Sequence, residues 1–418
     1  MSHSADQDAR RTIHVCWLSS ARYSQPLGST SARKWQLLAG LPGYEIRVIG
    51  FATSSRARRF HEHVGFYLLP QLPLSLLRYL TFFVLAPLLL GWLAMRRRAD
   101  IIVAQSPFEG AVGAWTKLLG RLIGRSPRLI IENHNNFEVD LFLQRNVPLP
   151  SLYRAIMMAF ARFAFRHADA ARVVSSTTAE RSRAFAPQLP QVRFMTWSDT
   201  DVFRQTPRQM PVEQAVDIVY AGVLRPGKGV HHLLDAFARL DHAQARLQLV
   251  GAPANADYAA ALHRQAQELG ISQRVQFVGA VSQSRLAEYF AAARVMVLPS
   301  LSEGLPRVIV EAMMTGTPVI GTRISGIPDI IRDGENSLLI APDDADDLLR
   351  ALRQIYARDV TAMAAQARAF ALDFFSPGKY AAGYQQLFET ALRPPADSSA
   401  ASAEPSQPGA IDSKSARE

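Results

Sequence analysis

The sequence predicts an α/β protein built from two doubly wound domains that face each other across a cleft. Three observations lead there. Short apolar runs alternate with amphipathic stretches along the chain, the pattern of βα units around a parallel sheet. The alternation comes in two series of similar length, one opening at Ile13 and one near Val216, joined by a polar connection over 197–210. The chain has 418 residues and is 48% hydrophobic, enough for two ordinary cores. The expected division is a disordered start at 1–11, Rossmann-like domains at 12–205 and 206–375, a last helix at 376–394, and a disordered Ser/Ala/Pro-rich tail at 395–418.

The first series opens with a buried strand, Ile13–Ser20. A loop carrying Pro26, Gly28, Ser29 and Thr30 leads into a helix over 31–39, and Tyr44–Phe51 returns as a strand. Tyr79–Met95 is seventeen residues without a charge, preceded by Arg78 and followed by Arg96, Arg97 and Arg98. That length is the lower limit for a membrane span. The next strand, 99–106, reads as part of the sheet that Ile13–Ser20 opens, which a spanning helix would forbid. Pro87 is expected to break or bend a helix in its middle. The segment is therefore read as a helix packed on the sheet, apolar enough all round to touch lipid on its outer face. A helix near 110–123 and a strand at 128–131 follow. Glu132, Asn133, His134 and Asn135 lie just past that strand's carboxyl end, where such folds place chemistry. Position singles out His134, with Glu138 behind it. The basic amphipathic stretch 151–167, with Arg154, Arg162 and Arg166, reads either as a core helix with snorkelling arginines or as a membrane-facing element.

In the second series Gly222, Gly227, Lys228 and Gly229 surround the turn from a strand at 216–224 into a helix. Glycines let a backbone approach phosphate, and lysine supplies a point charge. Strands at 245–252, 275–281 and 294–300 alternate with helices at 258–269 and 284–292. Val295–Asp344 is the densest stretch. A strand closed by Pro299 runs into a loop holding Glu303, then into a helix that Pro306 opens and Gly316 ends, with Glu311 inside it. The two carboxylates stand eight residues apart around a helix N-terminus, a natural phosphate site. One can accept from a pair of sugar hydroxyls and the other can hold a second sugar. On spacing alone, a capping Glu303 and a solvated Glu311 serve equally well.

Charge divides the chain. Residues 1–200 carry +13, from 25 Lys/Arg against 12 Asp/Glu, and the remainder carries −3. A basic first half suits an anionic membrane surface or a phosphorylated acceptor. Nucleic acid is not expected, because zinc-finger spacing and RNA-recognition aromatics are missing. The single cysteine, Cys16, fits a reducing compartment, and the polar start gives no secretory signal. A cytoplasmic protein, at the inner face of the cytoplasmic membrane, is the expected setting.

The stretch around Glu303 resembles the donor-binding signature of retaining GT-B glycosyltransferases of glycosyltransferase family 4 (glycosyl transferases group 1). The signature stands here as Glu303 to Glu311, Ala312-Met313, Gly316-Thr317-Pro318-Val319 and Gly334-Glu335-Asn336. Asp329 stands where Glu is commoner, and Ser337 where Gly is usual. The resemblance implies a nucleoside-diphosphate sugar held by the second domain. Glu303 would contact the sugar, the backbone of Gly304, Leu305 and Pro306 the diphosphate, and Glu311 the ribose. His134 would lie near the donor sugar, and Gly28 and Gly222 would belong to loops near phosphate. Lys228-Gly229 fits the end of a second family pattern, with Val223 in its arginine position. Either Arg225 substitutes from nearby or one phosphate contact is lost. The first domain would bind the acceptor, and the last helix would cross back to it. Asp199-Thr200-Asp201 forms the DxD that holds metal in another glycosyltransferase fold. Here Asp199 and Phe203 match this family's connection instead, so no metal site and no cofactor are expected. The implied function is metal-independent transfer of a sugar, with retention, to a glycan or lipid-linked acceptor in bacterial surface polysaccharide synthesis. The alternatives are a GT-B sugar-nucleotide epimerase and a non-catalytic membrane-associated binding protein.

Overall fold

The computed structural model describes residues 11–393 apart from 74, 97, 135–149, 197–199 and 216. Two sheets carry the fold. The first contains β1 (Ile13–Tyr23), β2 (Tyr44–Ala52), β3 (Arg58–Glu62), β4 (Val64–Leu69), β5 (Ile101–Ala104), β6 (Arg128–Asn133), β7 (Ala170–Val173) and β8 (Gln191–Arg193), in the order β3-β4-β2-β1-β5-β6-β7-β8. The second contains β9 (Ile218–Ala221), β10 (Leu247–Val250), β11 (Val275–Gly279), β12 (Val295–Leu298), β13 (Val319–Thr322) and β14 (Leu338–Ile340), in the order β11-β10-β9-β12-β13-β14. Neighbouring strands pair in parallel except β3 with β4, an antiparallel edge hairpin. Parallel strands are covered on both faces, which is why their residues are continuously apolar rather than alternating.

The first sheet shows this covering directly. Val15, Trp17, Val48, Ile101 and Ile130 point to one face, against α1 (Ser29–Ala39) and the last helix, α13 (Pro377–Leu392). Cys16, Leu18, Ile49, Ile102 and Leu129 point to the other, under α2 (Ser75–Met95), α3 (Pro107–Leu122) and α4 (Pro150–His167). α5 (Ser176–Phe185) and the short α6 (Asp201–Gln205) lead into the second half. There α7 (Val230–Ala238), α8 (Ala256–Glu268), α9 (Gln283–Ala292), α10 (Arg307–Met314), α11 (Ala345–Ala357) and α12 (Thr361–Phe374) surround the second sheet. Phe203 is fully buried in that second core and anchors the connection to it. After α12 the chain returns: Tyr380, Tyr384, Leu387, Phe388 and Ala391 of α13 sit in the core of the first sheet. These positions recur at helical spacing, and each large side chain buried stabilises the attachment by roughly 1.5–3 kcal/mol.

The helix over 79–95 packs on the sheet as expected, and four features differ from the sequence reading. α2 runs unbroken through Pro87, because Phe82, Ala86, Leu90 and Leu93 on its inner side are buried against the sheet. That packing outweighs one lost helical hydrogen bond. Among the described residues, no helix is long and apolar enough to cross a membrane. The β3–β4 hairpin and α12 were not anticipated. Pro306 is the residue before α10 rather than its first residue.

Candidate active site

Strand order reverses direction once in each sheet, between β1 and β5 and between β9 and β12. Loops diverge at such a point and open a crevice at the carboxyl ends of the strands. The two crevices face each other. Ser175, just past β7, lies against Gly326 and Leu305, just past β13 and β12: a Cβ on Gly326 would stand 2.9 Å from the Ser175 Cβ and 2.6 Å from Leu305 Cδ1. Asp329 closes the contact. It accepts from the Ser176 backbone at 2.7 Å and from the Ser176 hydroxyl at 2.6 Å, and it pairs with Arg193 at 3.2 Å.

At the second reversal point the turn after β9 and the loop after β12 are tied together. The Leu301 N–H donates to the Gly227 carbonyl at 2.9 Å. Gly229 has φ +65°, and a Cβ there would stand 2.0 Å from the Pro299 carbonyl oxygen, so only glycine fits. This close approach brings Lys228 Nζ into an ion pair with Glu303 Oε1, and the Ser300 hydroxyl donates to the same oxygen at 2.7 Å. Both side chains are largely buried. α10 begins four residues after Glu303, and its first N–H groups lack partners within the helix. Glu311 lies one turn further along. It is buried, and no hydrogen bond or ion pair to its carboxylate is found among the described residues. Burial raises its pKa, with Arg307 opposing.

The other predicted donor residues divide. Arg225 is half-buried near the ion pair and supplies its carbonyl to the Lys228 N–H at 2.9 Å, while Val223 is exposed. Gly222 follows β9 at the reversal point. Gly304 accepts from the Gly326 N–H at 3.1 Å, which fixes the loop before Leu305 and Pro306. Gly28 caps α1 with φ −63° and open space around it, so its own backbone does not require glycine. Asn336 is a loop staple: it accepts from Arg332 N–H at 2.9 Å and donates to the Ile330 carbonyl at 3.1 Å. Glu138 and Asp199 lie outside the described residues. Asp201 pairs with Arg33 at 2.6 Å, linking α6 to α1.

On the first sheet, His134 stands just past β6. Its Nε2 lies 3.0 Å from Glu132 Oε2, and its Nδ1 lies 3.4 Å from the Thr196 hydroxyl. Glu132 is fully buried. Arg172 donates to it at 3.1 Å and to Tyr384 at 3.0 Å, and the Tyr384 hydroxyl also donates to Glu132. Burial opposes the Glu132 charge, but Arg172, His134 and Lys34 outweigh it and hold the carboxyl well below its usual range. An ionised Glu132 only accepts, so it fixes the proton on His134 Nε2. Burial in turn lowers the His134 pKa, with Glu132 opposing. Lys34, packed over Trp17 and Trp35, is pulled down by burial to about 8.

The sequence reading passed over Glu109. It sits in the first turn of α3, after β5 at the first reversal point, and is 7% exposed. One carboxylate oxygen accepts from Ser20 N–H at 3.2 Å, the other has no partner among the described residues, and burial raises its pKa. The available signal was its place three residues after a helix cap, Ser106.

Two facing parallel α/β units, with the crevice between their carboxyl edges, define the GT-B class. Two family models match, glycosyl transferases group 1 over residues 203–370 and glycosyltransferase family 4 over 35–193. The chain belongs to glycosyltransferase family 4. It is similar to the D-inositol 3-phosphate glycosyltransferase of Mycolicibacterium paratuberculosis, 35% identical over 182 residues, 41% of each chain. It is also similar to the lipopolysaccharide core biosynthesis glycosyltransferase LpsE of Rhizobium meliloti, 38% identical over 152 residues, 36% of this chain and 41% of that one. The match spans about two-fifths of the length of these relatives. Among solved structures it resembles Anabaena HepE in complex with UDP, with a TM-score of 0.65 and 20% identity over 90% of this chain and 99% of that one.

Proposed function

We propose that this chain transfers a glycosyl group from a nucleoside-diphosphate sugar to a lipid-linked glycan, with retention and without a metal ion, at the inner face of the cytoplasmic membrane. The observation that carries the reading is the arrangement at the second reversal point. A lysine–glutamate pair lies beside a helix N-terminus, and a second, buried carboxylate with no partner among the described residues stands one turn deeper. A donor would take its ribose hydroxyls to Glu311, its diphosphate to Lys228, Arg225 and the N–H groups around Leu305 and Pro306, and its sugar to Glu303. In the reaction the bond from sugar C1 to the diphosphate oxygen breaks, and the diphosphate leaves with the electron pair. The acceptor hydroxyl bonds C1 from the same face and passes its proton to the departing phosphate oxygen. Lys228 and the helix dipole stabilise the charge that gathers there, and their fixed positions require no rearrangement as it forms. His134, held by Glu132, approaches the sugar from the first sheet. The names of relatives in lipopolysaccharide core synthesis and of a neighbour bound to UDP-glucose support the donor and acceptor classes.

The test is a transfer assay on the full chain with a panel of UDP- and GDP-sugars and a polyprenyl-diphosphate glycan, with the new linkage read by NMR. A product with the donor's anomeric configuration is expected. An inverted product would refute retention. Conversion of the donor sugar without acceptor would mean an epimerase.

A further inference from the structure

The exposed large apolar side chains of the described residues are not scattered. All but four lie on α2, α3 and α4 or the residue after α3. Val84 and Leu88 form a stripe on α2, Trp115, Leu119 and Leu122 one on α3, and Ile156 belongs to one on α4. Leu88 is 66% and Leu122 81% exposed. The stripes join: the Phe83 and Phe160 rings stand 5.4 Å apart between α2 and α4, and Trp115 and Phe163 stand 5.4 Å apart between α3 and α4. A continuous apolar patch of this kind marks an interaction surface.

Its charge chooses the partner. Arg96, Arg98, Arg121, Arg154, Arg162 and Arg166 are exposed on these helices or at their ends. The three helices contain one acidic residue, Glu109, and it is buried. A second copy of the chain would set arginines against arginines across a twofold axis. An anionic bilayer complements both parts, with acyl chains for the stripes and phosphates for the guanidinium groups. We propose that the α2–α3–α4 face docks this protein on an anionic bilayer, lying on its surface. The three helices run antiparallel to the strands, so their N-terminal ends lie at the edge of the sheet that carries His134. A bilayer against this face therefore borders the cleft, and an acceptor held in it reaches the site from the side. This deepens the lipid-acceptor reading and rests on it for its purpose, but vesicle binding is read without any turnover.

The experiment is flotation of the full chain with phosphatidylglycerol vesicles and with phosphatidylcholine vesicles, across a salt series. Binding to the anionic vesicles that falls steeply with salt is expected, with at least tenfold weaker binding to phosphatidylcholine. The Leu88→Glu/Leu119→Glu pair and the Arg121→Glu/Arg162→Glu/Arg166→Glu set should each weaken binding at least tenfold. Trp115 emission should shift to the blue on vesicles, and Trp115→Phe should remove that shift. Melting temperature should hold, because the substituted side chains are exposed, and nucleotide-sugar binding, which reports on the other sheet, should stay unchanged. Equal binding to both lipids, or apolar variants that float like the parent, would overturn the proposal. So would a dimer in sedimentation that Leu88→Glu dissociates, because the face would then be covered by a second copy. Vesicle binding without any response to nucleotide sugars would leave docking standing and remove the transferase reading.

Discussion

Lys228 and Glu303 stand 75 residues apart in sequence and share one buried ion pair. On the proposed function, removing the ammonium takes the fixed positive charge from the leaving diphosphate and leaves Glu303 with the Ser300 hydroxyl. Lys228→Ala should therefore lower kcat/KM by about 10²- to 10³-fold, the loss of about 2.7–4 kcal/mol expected for one preorganised donor. Steady-state kinetics at saturating acceptor measure it. Glu311 gives a pH signature. Burial raises its pKa from 4.5, so the folded protein alone favours the protonated form, and that stabilising contribution is lost as pH rises through the raised pKa. In the proposed complex a ribose diol donates to the ionised form. Donor affinity should then rise with pH above 4.5 and release a proton on binding, and Glu311→Gln should flatten the profile in calorimetry. The glutamates and Lys228 could be singled out as candidates because each sits in a short contiguous motif. The ion pair could not, because local sequence does not say which two turns meet. The Gly229–Pro299 contact that brings them together is set by strand order.

At the scale of elements, the amphipathic spacing of α13 could be read, but its seat could not. Tyr384 reaches Glu132 across 252 positions and Arg172 across 212, separations that no motif records. Tyr384→Phe keeps the ring against Trp17 and Phe194 and removes the hydroxyl that donates to a buried carboxylate. It should destabilise the protein by about 1–3 kcal/mol in urea titrations and leave nucleotide binding unchanged. α2 shows the opposite failure of local reasoning. Pro87 argues for a break or a bend, and the helix continues through it because burial of its inner face is summed over a whole turn of side chains.

At the scale of the molecule, the two-series alternation of strands and helices was visible in the sequence, and so was the concentration of positive charge in the first half. The contacts that join the facing halves were not, since Asp329 meets Ser176 and Arg193 across more than a hundred positions of chain. The charge that neutralises the departing diphosphate comes in this account from Lys228 and the start of α10, which are part of the chain. Turnover should accordingly persist in excess EDTA and gain little from added manganese. A loss on chelation restored by manganese would place a metal in the mechanism. We propose that the second sheet's reversal point binds the donor. Calorimetric titration of the full chain with UDP- and GDP-sugars, repeated on Lys228→Ala and Glu311→Ala, tests it most directly. One-to-one binding of one nucleotide class is expected, at least tenfold weaker in each variant while their melting temperatures hold. Binding of equal strength in the parent and both variants would contradict it.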